Sequence, residues 1–243
     1  MAGPTPRGRR EGRADAPDVA GEQTMVMFPK YECPQAELTS PSRVGEPTWE
    51  MALFYPHQGD WDDADFLSLD QSGMFGLELS DGCLRFLPPE TRRSQSAGHF
   101  LVFALMDHLG RRHAFGRGYN LRVRERVSGV RHDFRQPDVI ASITRSGFGP
   151  GFATAADFVA EVLSDDEASR RRDLEEKRLD YAEAGVPEYW IVDPDARTIL
   201  QLQLADGRYE EVGTFGVDST LNSSAIPNFS IALAEMFDGG AEA

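Results

Sequence analysis

The stretch Asp157-Phe158-Val159-Ala160-Glu161-Val162-Leu163-Ser164 sets one carboxylate inside an otherwise apolar run. A short apolar run bounded by polar residues reads as a buried strand. Side chains alternate along a strand, so Asp157, Val159 and Glu161 share one face. An unpartnered carboxylate at Glu161 would be costly to bury. A hard divalent cation would remove that cost. Mg²⁺ takes one or two carboxylates and completes its shell with water and phosphate oxygens; Mn²⁺ is an alternative with the same preference for oxygen.

The surroundings extend this reading. Asp165 to Ala184 forms a charged helix that Gly185-Val186-Pro187 stops. Lys177 lies on it, three residues after Leu174 and four before Tyr181, so the three should share the face that packs on the sheet. Of 25 basic residues only Lys30 and Lys177 are lysines, which makes Lys177 less casual a choice. Glu188–Asp193 and Thr198–Leu204 continue as strands. Upstream, Gly76–Ser80, the turn Asp81-Gly82 and Cys83–Leu87 read as a hairpin closed by Pro88-Pro89. Ser94 or Ser96 then caps a helix running to about Leu109. Strands are expected at 113–117, 120–127 and 137–144, and Gly147–Gly151 is a loop. Hairpin, helix, strands, helix, strands is the order of an α/β or α+β domain on a mixed sheet.

Composition bounds the remainder. The chain has 243 residues and a net charge of -15. Its longest apolar run, Phe100–Met106, is far short of the ~20 residues of a membrane span. No charged-then-apolar leader opens it, so a cytoplasmic location is expected. Cys33 and Cys83 fit neither a disulfide framework nor a zinc motif. Residues 1–24 read as a disordered tail, and 25–60 as a Pro-punctuated extension without a clear assignment. Asp60–Leu67 reads as a short acidic helix, with the ordered part expected from about Phe75.

Asp138 opens a strand just after Pro137. Together with Glu161 it makes an acid pair able to hold a metal, and Lys177 adds an ammonium. Such a set suits phosphodiester hydrolysis, where a metal polarises phosphate and acidifies water, and an ammonium positions that water or stabilises charge. Each residue also admits a structural reading. Asp138 could cap a strand or turn, Asp157 could sit at a wet strand edge, and Lys177 could pair with Asp173.

These residues resemble a known family. Pro137-Asp138-Val139-Ile140, the Asp157–Ser164 strand, Arg172-Asp173-Leu174-Glu175-Glu176-Lys177 and Tyr181–Pro194 are similar to the Uma-two family of restriction endonucleases, a branch of the PD-(D/E)XK nucleases. The hairpin Leu77–Leu84, Pro88-Pro89 followed by His99, and Ile226–Ser230 with Met236-Phe237 resemble it more loosely. The resemblance covers about 61–238, leaving 239–243 as a tail. It implies a restriction-endonuclease-like mixed central sheet flanked by helices. It also implies that Asp138 and Glu161 bind Mg²⁺ and that Glu78 is a further acid touching metal or water. The superfamily lysine two residues after the acid is replaced here by Leu163, and Lys177 on the next helix is its match. Asp157 and His99 are further candidates. A non-catalytic nucleic-acid-binding or regulatory module on the same fold is the alternative, and a protein-interaction role for the acidic helix is a third.

DNA is the implied substrate, no membrane partner is implied, and a homodimer is an assembly open to such a chain. The net charge argues against a nucleic-acid coat protein. Yet Arg111–Arg135 holds eight Arg against Glu125 and Asp133, a local +6 that leaves -21 elsewhere. Arg122, Arg124, Arg126 and Arg135 are candidate phosphate contacts leading into Asp138, or simply Arg facing water. The expected binding is weak, salt-sensitive and dependent on Mg²⁺.

Overall fold

Pro137 has no N–H and cannot donate to a strand ladder, and the chain changes sheets there. The computed structural model describes residues 56–70, 76–127, 131–164 and 166–238, all within Cys33–Ala243. The expectations for 1–55 and 239–243 lie outside the described residues.

One sheet has five strands, four of them before Pro137 and one after it. Its strands are β1 (Leu77–Ser80), β2 (Cys83–Phe86), β4 (Asn120–Val127), β5 (Arg131–Arg135) and β7 (Phe152–Ala153), in the order β2-β1-β5-β4-β7. Asp81 and Gly82, both at positive φ, make the β1–β2 turn. The other sheet is mixed and has six strands, five of them after Pro137: β3 (Ala114–Gly116), β6 (Val139–Ala141), β8 (Phe158–Val162), β9 (Glu188–Asp193), β10 (Thr198–Ala205) and β11 (Arg208–Gly216). Their order is β11-β10-β9-β8-β6-β3. β8 and β9 are parallel, and the helical segment between them is their crossover. A two-stranded ribbon of β12 (Thr220–Asn222) and β13 (Ser230–Ala232) closes the chain with helix α5 (Leu233–Asp238).

The central strands β6, β8 and β9 of the six-stranded sheet are buried on both faces. Helix α2 (Arg92–Leu109) sets Ala97, Leu101 and Leu105 against Val139, Ala160, Val162 and Trp190. Helix α4 (Lys177–Glu183) sets Tyr181 and Ala182 against Ile140, Val159, Tyr189 and Ile191. The strands therefore read as apolar runs, as two-sided burial requires. Mixed sheets flanked by helices are the architecture expected from the sequence.

Several elements differ in detail. Helix α2 starts earlier than Ser94, because Thr91 holds extended backbone and its hydroxyl accepts from the Ser94 N–H at 3.1 Å. The 137–144 strand shortens to Val139–Ala141, because the Asp157 carboxylate accepts from Ser142 Oγ (2.9 Å) and the Ile143 N–H (2.7 Å) and turns the chain. Order also begins before Phe75. Helix α1 (Asp63–Asp70) buries Phe66 and Leu69, with Trp61 just ahead of it, against Leu77, Leu79, Leu84 and Phe134. The Asp63 carboxylate pins that helix to β5 through the His132 N–H (2.8 Å) and ring Nδ1 (2.6 Å).

The helix expected over 165–184 is three pieces: α3 (Glu167–Arg171), a π-helical turn (Arg172–Glu176) and α4. The wider turn rotates the residues before Lys177. Arg172 and Asp173 point inward and are buried, whereas Leu174 is 37% exposed. Leu174 therefore does not share the inner face of Lys177 and Tyr181. A π-turn inside an α-helix is often found at functional sites.

Candidate active site

Strand register brings the two central acids together. β6 and β8 run antiparallel with Val139 opposite Ala160 and Ile140 opposite Val159. Continued by one residue, that register sets Asp138 opposite Glu161, and directly opposed side chains on a shared face have Cβ atoms about 5 Å apart. Asp138 Oδ2 accepts from the Val162 N–H at 2.8 Å, which anchors the acid beyond the end of β6.

Lys177 stands over the pair. Its Nζ is 2.9 Å from Glu161, 3.2 Å from Asp173 and 3.3 Å from Glu78. The Tyr181 hydroxyl, one turn along α4, donates to the other oxygen of Glu161. Glu78 also meets Arg135 Nη1 at 3.2 Å and accepts from the Gln136 N–H at 3.2 Å. Arg135 in turn reaches Asp180 of α4 at 2.6 Å. These pairs tie both sheets to the helix.

The π-turn has its own brace. The Tyr189 hydroxyl on β9 donates to the Asp173 carbonyl at 2.9 Å, inside the protein. Removing it leaves a buried carbonyl short of a donor, which costs roughly 1–3 kcal/mol. Tyr189→Phe is expected to lower the unfolding free energy by about that much. It should also reduce kcat more than KM, because it moves Lys177 and Asp173 rather than removing them. Urea unfolding with steady-state kinetics checks both effects, and a loss of stability alone would mean that the brace does not position Lys177.

The charges are unevenly compensated. Burial alone would push the Glu78 carboxyl up, but Lys177 and Arg135 outweigh it and hold Glu78 well below the usual carboxylate range. Burial would likewise lower Lys177, yet Asp173, Glu161 and Glu78 together hold its ammonium well above the usual value. Asp138 is pushed up to about 6 by burial, only partly offset by Lys177. Burial, with Asp138 and Asp173 nearby, also raises Glu161 against the pull of Lys177. Asp138 and Glu161 are therefore the two acids short of positive charge.

Both line a cavity of about 40 Å³, together with Asp173, Lys177, Arg172 and Arg117. Glu78 is not on its wall and has no exposed surface, so it stands behind Lys177. Among the described residues, no three His, Cys, Asp or Glu side chains group as a metal cage. Two carboxylates on one small cavity are a donor set that leaves the remaining positions of a hard cation to water.

The other candidates lie elsewhere. Asp157 is at the far end of β8, committed to the Ser142–Ile143 turn. His99 is exposed on α2 and lines a neighbouring groove that also touches Asp138. The Arg stripe is largely spent on internal ion pairs. Arg124 meets Asp180 and Glu183, and Arg126 meets Asp81 and Asp133. Arg135 departs most from the expected phosphate contact: its side chain is wholly buried between Glu78 and Asp180. Arg122 forms no ion pair among the described residues and lies 5.9 Å from the centroid of the Phe152 ring.

Arg172 is buried on the cavity wall with its Nε lacking a hydrogen-bond partner. Sequence periodicity missed Arg172, and it placed Asp173 only as a pairing option for Lys177. Both turn inward because of the π-turn.

The Uma2 family model, described as "Putative restriction endonuclease", matches residues 63–234. The chain belongs to the Uma2 family. The sequence resemblance therefore holds. A crystal structure of "a putative nuclease belonging to DUF820" from Anabaena variabilis ATCC 29413 has the same fold as this Uma2 chain. The TM-score is 0.53 at 16% identity, over 68% of this chain and 90% of the other. No curated protein matches significantly. No helix among the described residues is long and apolar enough to cross a membrane.

Proposed function

We propose that this Uma2 protein hydrolyses DNA phosphodiester bonds with the help of Mg²⁺, for which Mn²⁺ could substitute. The observation that carries this reading is the pairing of Asp138 and Glu161 across β6 and β8, with Lys177 Nζ 2.9 Å from Glu161 on the wall of the same cavity. Asp138 and Glu161 would hold the metal, which when bound supplies Lewis acidity and a more acidic water. Lys177 donates to the attacking water or to a non-bridging phosphate oxygen, where charge develops. Arg172, with Nε unpartnered at the cavity, is suited to a second phosphate oxygen. Glu78 and Asp173 are positioning residues that keep Lys177 charged and aimed, and Tyr181 fixes the rotation of the Glu161 carboxylate.

Plasmid nicking tests the reading. Wild type is expected to nick in Mg²⁺ or Mn²⁺ and to be silent in EDTA. Glu161→Gln is expected to lose on the order of 10²–10⁴ in rate, the range for a group acting directly on the reaction. Equal DNA binding with and without EDTA, and no cleavage with any metal, would mark a binding module instead.

The spent Arg stripe refines the docking expectation. Arg111 and Arg112 are exposed and Arg122 is unpaired among the described residues; with Lys177 and Arg172 at the cavity, about five phosphates can be neutralised. The slope of log K against log salt for duplex DNA is expected at about -4.5, from roughly five contacts at -0.9 each. A slope beyond about -6 would mean that the paired Arg release their carboxylates to reach DNA.

A further inference from the structure

The 40 Å³ cavity is too small for a nucleoside. Next to it lies a groove of about 570 Å³ that shares Glu90, Asp138, Gln136 and Arg117 with it. That volume falls within the range that holds a small ligand. Two observations about its walls point to an occupant.

The first is Gly98, buried in the interior of α2 and lining the groove. Glycine there costs about 1 kcal/mol of helix stability relative to Ala. Nothing in the packing asks for it, because an added Cβ would meet only Val162 Cγ2, at 4.0 Å. The missing side chain leaves open space on the groove side. The second is Gln136, only 2% exposed, whose Oε1 has no hydrogen-bond partner. A buried amide oxygen left unmatched costs free energy that a ligand donor would recover. His99, exposed on the same helix as Gly98, offers a flat ring at the groove.

Resting on the nuclease reading, we propose that this groove seats the base and sugar of one unstacked nucleotide whose phosphate faces Asp138. The Gln136 amide meets the polar edge of the base, and Gly98 leaves room for the ring. Arg117, which donates to the Pro88 carbonyl and lies 3.8 Å from Glu90, sits where the two spaces join, beside the linking phosphate. A base inside a continuous duplex could not occupy the groove without leaving the stack, which costs a few kcal/mol and is least for unpaired nucleotides. The site therefore favours single-stranded, frayed or mismatched substrate over intact duplex.

Ligand-observed saturation-transfer NMR tests this without any cleavage. Each of the four deoxynucleoside 5′-monophosphates, which hold no internucleotide linkage to cleave, would be added with Mg²⁺ to the full-length wild type, Gly98→Ala and Gly98→Leu. At least one nucleotide is expected to show transfer to its base protons with wild type. That signal should fall about tenfold in Gly98→Leu, which projects into the groove, and persist in Gly98→Ala, which should melt no lower than wild type. Equal base-proton transfer in wild type and Gly98→Leu would overturn the proposal. So would its absence from wild type, or its complete suppression by inorganic phosphate at equal concentration. Plasmid nicking by the same proteins separates the two readings. Nicking by wild type without groove-dependent transfer sinks the groove alone, and groove-dependent transfer without nicking in any metal sinks the nuclease reading alone.

Discussion

Lys177→Met is expected to abolish cleavage and to cost about 3–5 kcal/mol of folding free energy. The ammonium is 3% exposed and faces Glu78, Glu161 and Asp173 within 3.3 Å. Removing it leaves three buried carboxylates without their common cation, and breaking a buried pair from one side costs more than the pair was worth. The loss should be reversible from the other side. Lys177→Met combined with Glu161→Gln removes one stranded charge and keeps an acceptor for Tyr181. It is expected to regain at least about 1 kcal/mol relative to Lys177→Met alone, as coupled contact residues do. Urea unfolding of the two variants measures this. A double variant less stable than Lys177→Met would mean that Glu161 is not held by the lysine.

Asp138→Asn is expected to do the opposite to stability while also abolishing cleavage. The native Asp138 carboxyl is pushed up to about 6 from 3.8, so the folded state holds that proton more tightly than the unfolded one. The favourable contribution is fully present below about pH 3.8 and is lost as pH rises through about 6. Above pH 6 the wild type therefore carries the cost of a half-buried charge that asparagine lacks. Asparagine is nearly isosteric and its oxygen can still accept from the Val162 N–H. At pH 7.5 the variant should be more stable by up to about 3 kcal/mol, from roughly 1.4 kcal/mol per pKa unit. The advantage should vanish near pH 4. Thermal unfolding across pH in EDTA reads it out. No stabilisation at pH 7.5 would mean that the Asp138 charge is already compensated inside the protein and does not call for a cation.

These opposite signs follow from features of unequal visibility in the sequence. The Asp138–Glu161 pair was legible because Glu161 interrupts an apolar strand, and the family resemblance located both acids. The hairpin at Asp81-Gly82 was legible because only certain residues adopt its backbone. Strand β5, Arg131-His132-Asp133-Phe134-Arg135, was not. Its polar residues are buried through ion pairs with Glu78, Asp180 and Arg126 that lie elsewhere in the chain. The same long-range pairs hid the fate of the Arg stripe: alternation tells which face a side chain takes, not which carboxylate waits there. The π-turn was hidden for another reason. One extra residue in a helical turn has no propensity signature, yet it moves Leu174 outward and Arg172 and Asp173 inward.

The central claim is that Asp138, Glu161 and Lys177 act as one metal-dependent site. It is tested most directly by the Mg²⁺-dependent nicking rates of Glu161→Gln, Lys177→Met and the double variant. Residues that act as a unit are strongly non-additive. Each single variant should therefore lose nearly all activity and the double should be no slower than either. Single variants that nick at the wild-type rate would contradict the account.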